Sequence, residues 1–341
     1  MMDFSGRINR VRMWCEENGV EAFVGTSSSG IFYLTGLRDV EGVIFVGKNK
    51  VRLFLPDLYL EEGKNLLPKE VSIPIMRMRR ASMKKIFSSY KKIACIGSEF
   101  SVDRFALWKK ELSSGLVTVS DFLKRIRAIK EPAELLLIRK AEAIAQRVME
   151  EVFSSLQVGM TELDLAAEVS ARLRNYGAER ESFPIVAAGG MNTLYPHHTA
   201  SHYKIRAGDP VMLDFGALVE GYVSDLTETC IVGEPSKEFS RIHSLVSSVR
   251  DECMAMAVPG AKAADLHKRA VYRFRKEGLS RFFVHGLGHG VGIDVHESPS
   301  LTPLSADLLL SGMVLTVEPG LYLPGKGGVR LEKMVYVGDS S

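Results

Sequence analysis

Apolar residues at Ile8, Val11, Met13 and Trp14 recur at near-helical spacing and Gly19 follows as a stop, so the pattern predicts an opening helix over 8–18. Short β-rich runs then alternate with turns at 21–24, 42–46, 51–55 and 92–96, and a helical pattern follows over 102–112. These elements read as a small α/β domain, and no cluster of metal-ligating or nucleophilic side chains falls within it. A longer amphipathic stripe starts at Glu131-Pro132-Ala133-Glu134 and runs through Leu135, Ile138, Ala141, Ile144 and Val148 to Leu156. Pro132 suits its first turn, where a missing N–H leaves nothing unpaired. The boundary is expected just ahead of this helix, giving domains over 1–126 and 127–341, in keeping with roughly 100–200 residues per domain.

Thr161 can cap a further helix together with Asp164, an Asp standing where a capping box usually has Glu or Gln. The segment 159–177 lies on 260–278 without a gap, matching Asp164 with Asp265, Leu165 with Leu266, Arg172 with Arg273 and Arg174 with Arg275. Each copy is a helix ending at a glycine. Duplication predicts two like halves with a site between them.

Polar clusters follow both copies. After the first, the apolar run Val211-Met212-Leu213 ends in Asp214, and Asp225 lies in the strand expected after the turn at Gly221. An unpaired carboxylate is costly to bury, and two brought together need a metal or a proton between them. Hydrogen bonds to turn amides are the other reading, and spacing alone leaves both open. After the second copy, His285, His289 and His296 fall in a stretch too rich in glycine for a regular helix, unlike the helical H-E-x-x-H zinc motif. Glu318 and Glu332 then follow apolar neighbours in strand-like contexts, and alternation puts Arg330 and Glu332 on one face with Lys333 on the other. Four carboxylates and one imidazole suit a pair of fairly hard divalent cations such as manganese, cobalt, iron or zinc.

Composition removes several alternatives. The 341 residues are 46% hydrophobic and 25% charged, the balance of an ordinary folded protein. The net charge of +3 is dispersed; the densest basic stretch, Met76 to Arg80, reads as a solvated face, so no nucleic-acid partner is expected. Cys15, Cys95, Cys230 and Cys253 are far apart and form no C-x-x-C pair, which argues against a disulfide framework or a thiolate zinc site. With no signal-like leader and no long apolar run, a cytoplasmic protein without a membrane partner is expected. The P-loop-like start at Gly320 fails, because Gly327 stands where Ser or Thr should bind magnesium and Pro324 interrupts the loop.

In their order and surroundings, D-F-G at Asp214, S-D-x-T at Asp225, G-H-G-x-G at His289, T-x-E-P-G at Glu318 and V-R-x-E at Glu332 resemble the pita-bread metallopeptidases. That family includes proline dipeptidase (prolidase), Xaa-Pro aminopeptidase and methionine aminopeptidase. The resemblance implies an α+β pita-bread catalytic domain with an internal pseudo-twofold repeat, preceded by an α/β creatinase-type domain whose presence disfavours methionine aminopeptidase. It further implies that Asp214 binds one metal through both oxygens, that Asp225 and Glu332 bridge, and that His289 and Glu318 ligate the second. His197, of the Pro196-His197 segment, His285 and His296 resemble the outer histidines that contact substrate and stabilise the reacting carbonyl, and Arg330 belongs to the same catalytic group. Glu318 is then the proton shuttle from water to leaving amine. The implied substrates are short peptides with proline at the second position, and the implied assembly is a homodimer.

Three departures stand out: Lys333 where the family usually has Asp, Glu228 where it has Arg, and Ser300 where some dipeptidases have Arg. The first two are expected to point away from the metals. An arginine would pair with a dipeptide's carboxylate, so Ser300 tilts the expectation from Xaa-Pro dipeptidase towards Xaa-Pro aminopeptidase. A non-catalytic binding protein on the same scaffold, or a metal-independent creatinase-type hydrolase, are the remaining alternatives.

Overall fold

The structure is a computed structural model describing residues 2–112 and 115–338. Its two compact units are Met1–Arg127 and Ala128–Ser341.

In the first unit the opening helix Phe4–Glu17 is capped by the Asp3 carboxylate, which accepts from the Gly6 N–H at 2.8 Å. It buries Arg7, Ile8, Val11 and Cys15, and Met13 is 59% exposed. The apolar stripe read from the sequence is thus shifted, because the buried Arg7 guanidinium donates to the Tyr33 carbonyl at 2.9 Å and lies over the Tyr33 ring. A six-stranded mixed sheet follows, in the order Ile75–Arg77, Val51–Leu55, Val43–Gly47, Ala22–Gly25, Ile93–Ile96, Leu116–Val119. Phe45, Phe54 and Phe87 pack its core. Helices Ser28–Thr35, Asp57–Leu66 and Arg80–Phe87, which the sequence reading did not single out, connect its strands. Arg77 and Arg79 pair with Asp57, and Arg80 with Glu111, all on the surface. All four cysteines of the chain are free thiols.

In the second unit the long helix is Pro132–Ser155, and Thr161 caps Glu162–Asn175 through a complete capping box with Asp164. Two sheets carry the site. One has the order Leu226–Ile231, Pro210–Phe215, Val186–Gly189; the other Glu297–Ser300, His289–Gly290, Val314–Val317, Lys333–Tyr336. The first helix pair covers the first sheet, with Val148, Leu165, Val169, Leu213 and Phe215 in one core. Helices Lys237–Ala255 and Ala263–Lys276 cover the second, with Val249, Leu266, Phe274, Leu315 and Val317 in another.

The internal duplication is visible in the hydrogen bonds. Around the first copy, Gly159 N–H donates to Ile205 O (2.8 Å), Ile205 N–H to Met160 O (2.9 Å) and Glu162 N–H to Tyr203 O (3.2 Å). Around the second, Gly260 N–H donates to Leu309 O (2.8 Å), Leu309 N–H to Ala261 O (2.8 Å) and Ala263 N–H to Asp307 O (3.0 Å). The same helix start is therefore stitched to the same kind of returning segment twice. No helix among the described residues is long and apolar enough to cross a membrane.

Candidate metal centre

An inner strand of each sheet delivers a carboxylate at its end: Asp214 within Pro210–Phe215, and Glu318 immediately after Val314–Val317. Asp225 and Glu332 each stand one residue before the strand that pairs back, Leu226–Ile231 and Lys333–Tyr336. Glu318 and Glu332 thus lie at strand ends, with Pro319 following the one and the Leu331 N–H bonded to the Pro319 carbonyl beside the other. His289 comes from the short strand His289–Gly290. Glycine is required beside it: a Cβ at Gly288 would collide with the Thr316 carbonyl of the adjacent strand.

Asp214, Asp225 and Glu332 are buried, and Asp225, His289 and Glu332 each offer a ligand atom within 4.8 Å of the others. His289 Nε2 lies 3.6 Å from Asp225 Oδ2 and 3.6 Å from Glu318 Oε1. Burial, reinforced by the charges of Glu332, Asp214 and Glu318, pushes the Asp225 carboxyl well above the usual range. Burial and then Glu332 do the same to Glu318. Burial and then Asp214 raise Glu332 to about 7, against a hydrogen bond from Thr227.

Two features test whether the residues fit a divalent cation. Asp214 Oδ1 and Glu332 Oε1 are buried with no hydrogen-bond partner among the described residues. His289 Nδ1 lies 3.1 Å from the Gly290 carbonyl, which can only accept, so Nδ1 carries the proton and Nε2 presents a lone pair to the carboxylates. Burial and then His296 lower this imidazole to about 4, so it is neutral near pH 7. A lone pair facing carboxylate oxygens is repulsive without a cation between them. The residues fit.

Around this cluster the chain supplies its own orienting network. Arg330, 3% exposed, donates from Nη2 to Asp214 Oδ2 (2.5 Å), from Nη1 to the Tyr322 hydroxyl (2.9 Å) and the Pro196 carbonyl (3.1 Å), and from Nε to Thr227 Oγ1 (3.2 Å). Burial works against its charge, but Asp214, Tyr322, Glu318 and Glu332 outweigh it and hold the guanidinium above its usual pKa. Thr227 Oγ1 donates to Glu332 Oε2 at 2.6 Å.

His285 Nδ1 lies 2.7 Å from the Gly286 carbonyl, so the neutral ring accepts from the Tyr322 hydroxyl through Nε2 at 3.0 Å. Burial lowers this histidine to about 4 and raises Tyr322 to about 12. His285 is therefore engaged within the chain. His197 and His296 are exposed; His197 is close enough to His285 for its charge to oppose a proton there, and the His296 ring lies 4.2 Å from that of His289. Lys333 is exposed, Glu228 pairs with Arg250, and Ser300 is exposed opposite His289.

Tyr322 and Glu162 escaped the sequence reading. The tyrosine sits among strand residues with nothing to mark it, and the glutamate looks like any first-turn helix acid. His198, which neighbours His197, is bound to Glu162 and not to the metal cluster.

A buried cluster of carboxylates and a neutral imidazole that demands a cation, set on duplicated α+β halves, is the arrangement of a metal-dependent hydrolase. The chain belongs to metallopeptidase family M24. The family matches residues 137–339, and the creatinase/prolidase N-terminal domain matches residues 7–129. The chain is 30% identical to an Xaa-Pro dipeptidase of Pyrococcus horikoshii over 335 residues, 97% of this chain and 94% of the relative. An Xaa-Pro dipeptidase structure from Bacillus anthracis matches with a TM-score of 0.93 at 27% identity, covering 98% of this chain and 95% of that one. An X-Pro aminopeptidase structure from Thermotoga maritima matches with a TM-score of 0.89 at 29% identity, covering 97% and 94%. The fold is thus the pita-bread fold behind a creatinase-type domain, and the chain is a metallo-exopeptidase.

Proposed function

We propose that this enzyme hydrolyses the bond between an N-terminal residue and the proline that follows it, acting as an Xaa-Pro aminopeptidase on short peptides. The observation that carries the reading is the convergent set Asp225, His289 and Glu332, its two carboxylates buried, with Asp214 and Glu318 beside it, taken with the likeness to proline-directed peptidases. Asp214, Asp225, His289, Glu318 and Glu332 would hold two divalent cations, drawn from manganese, cobalt, zinc or iron. When bound, such a pair lowers the pKa of a water and polarises the scissile carbonyl.

The remaining steps belong to the side chains. Arg330 fixes the carboxylate of Asp214 and, through Thr227, that of Glu332. The Glu318 carboxylate takes the proton of the attacking water and delivers it to the leaving proline nitrogen. His197 and His296, exposed at the site, contact the peptide and stabilise the oxyanion, while His285 and Tyr322 hold Arg330 in place. A cytoplasmic homodimer is part of the same reading.

A second reading is Xaa-Pro dipeptidase, supported by the names of the similar proteins from Pyrococcus horikoshii and Bacillus anthracis. The aminopeptidase reading rests on Ser300, which offers no cation for a dipeptide's carboxylate. Comparing an Xaa-Pro dipeptide with an Xaa-Pro tripeptide across several metals separates them: the tripeptide is expected to be cleaved faster, and exclusive cleavage of the dipeptide reverses the order. Turnover of methionyl peptides but no Xaa-Pro peptide would remove the proline assignment altogether.

A further inference from the structure

Glu162 opens the helix Glu162–Asn175 and is fully buried, yet it lies outside the metal cluster. Its carboxylate accepts five hydrogen bonds. Oε1 takes the Gly189 N–H at 2.7 Å and Asn192 Nδ2 at 2.9 Å. Oε2 takes His198 Nε2 at 2.8 Å, the Ser201 N–H at 2.9 Å and the Ser201 hydroxyl at 2.6 Å. Burial opposes the charge, but the bonds from Ser201, Asn192, Gly189 and His198 outweigh it and keep the carboxyl below its usual range.

Every donor lies between residues 189 and 201, the segment that carries His197. That segment is fixed on the other side by Arg330, which holds the Pro196 carbonyl at 3.1 Å. His197 therefore stands between two anchored neighbours, Pro196 tied to Arg330 and His198 tied to Glu162.

A purely structural role for the carboxylate is testable against the molecule itself, because the frame occurs twice. The counterpart of Glu162 in the second copy is Ala263, buried at 0% exposure, and its N–H makes the equivalent bond to the returning segment. The frame closes without a carboxylate. What Glu162 adds is the hold on residues 189–201.

We propose that Glu162 is a positioning residue that sets His197 at the site, with His198 as the link between them. This rests on the role given above to His197.

The test is a double-mutant cycle in the metal-loaded full-length enzyme, with Glu162→Ala, His197→Ala and the double variant, read on the best-cleaved peptide of the panel. Glu162→Ala is expected to lower kcat/KM by about 10- to 100-fold, as loss of an orienting partner does. The double variant should be no slower than His197→Ala beyond a factor of about two. Glu162→Gln, which keeps the shape and one acceptor oxygen, should recover part of the loss; it takes the place of the alanine variant if that one does not fold. Hydrogen exchange should rise across residues 189–201 and stay unchanged in the strand Pro210–Phe215. Losses that multiply in the double variant, wild-type kcat/KM in Glu162→Ala, or exchange rising equally in both segments would each overturn the proposal. So would full activity in His197→Ala. A best substrate without proline would overturn the functional reading alone and leave the cycle valid.

Discussion

The two halves of the catalytic unit share a frame but hold their buried carboxylates in different ways. In the first half Asp214 is gripped by Arg330 at 2.5 Å, and Glu162 is saturated by five donors. In the second, Glu318 faces His289 at 3.6 Å, and Glu332, like Asp214, has one oxygen without a partner among the described residues while Thr227 donates to the other. The grips also cross: Arg330 of the second half holds Asp214 of the first, and Thr227 of the first holds Glu332 of the second. Neither half assembles the site by itself. A duplicated frame tolerates substitution at its own positions, so the specialised residues are those reaching out of it.

The sharpest way to break this comparison is Asp225→Asn, since Asp225 belongs to the first half and its charge is opposed by carboxylates of both. Activity should fall more than the roughly 10- to 100-fold typical of losing a mere orienting partner. Stability should change sign with the metal. A carboxyl whose pKa is raised on folding destabilises the fold at pH values above its unfolded pKa. Asn therefore raises the Tm of chelated protein at neutral pH and lowers that of metal-loaded protein. A shift of the same sign in both states would mean that Asp225 does not meet the cation.

A smaller effect separates the two frames. Ala263→Glu puts at the second frame the residue that the first accommodates, but without the donors of residues 189–201. It should cost at least about 2 kcal/mol in urea unfolding, the scale for a buried polar group lacking partners. If Ala263→Glu unfolds at the wild-type midpoint, donors exist around the second frame as well, and the asymmetry drawn between the halves is wrong.

How legible these features were follows from their sequence separation. Asp214, Glu318 and Glu332 stand out because each follows an apolar neighbour in a strand-like context, where a charge needs a local reason, and Asp225 because it lies in the segment expected to pair back onto Asp214. The repeat was readable in its helices, Leu165 with Leu266 and Arg172 with Arg273, because amphipathic spacing is local. Arg330 shares a face with Glu332 by strand alternation, but its bonds to Pro196 and Asp214 span more than a hundred residues and leave no local trace. Glu162 was invisible for the same reason: its partners begin only at the last residue of the strand Val186–Gly189. In the first unit four of the six strands were found within a residue or two, whereas Ile75–Arg77 and Leu116–Val119 were missed, and Arg7 displaced the expected helix stripe because a charged residue buried by a carbonyl and a ring has no apolar signature.

The finest test of the asymmetry uses acid. His267 lies on the second frame's helix where the aligned residue of the first is Ala166, and it is stacked on Phe283 with ring centroids 5.3 Å apart. Burial lowers its pKa from the ordinary 6.5, and its Nδ1 is buried without a hydrogen-bond partner among the described residues. A histidine held neutral by the fold takes up its proton more readily in the unfolded chain. Its contribution is present in full above 6.5 and is lost as pH falls from there towards the folded value. Burial also lowers His243, half-buried on Lys237–Ala255, and lowers His285 to about 4, so this acid sensitivity gathers in the second half. In His267→Gln the fall in urea midpoint between about pH 8 and about pH 5.5 should be smaller than in the wild type, whatever the variant's midpoint at the higher pH. An unchanged fall would mean that His267 titrates alike in both states, and that the acid response of the second half's histidines comes from His243, His285 and His289.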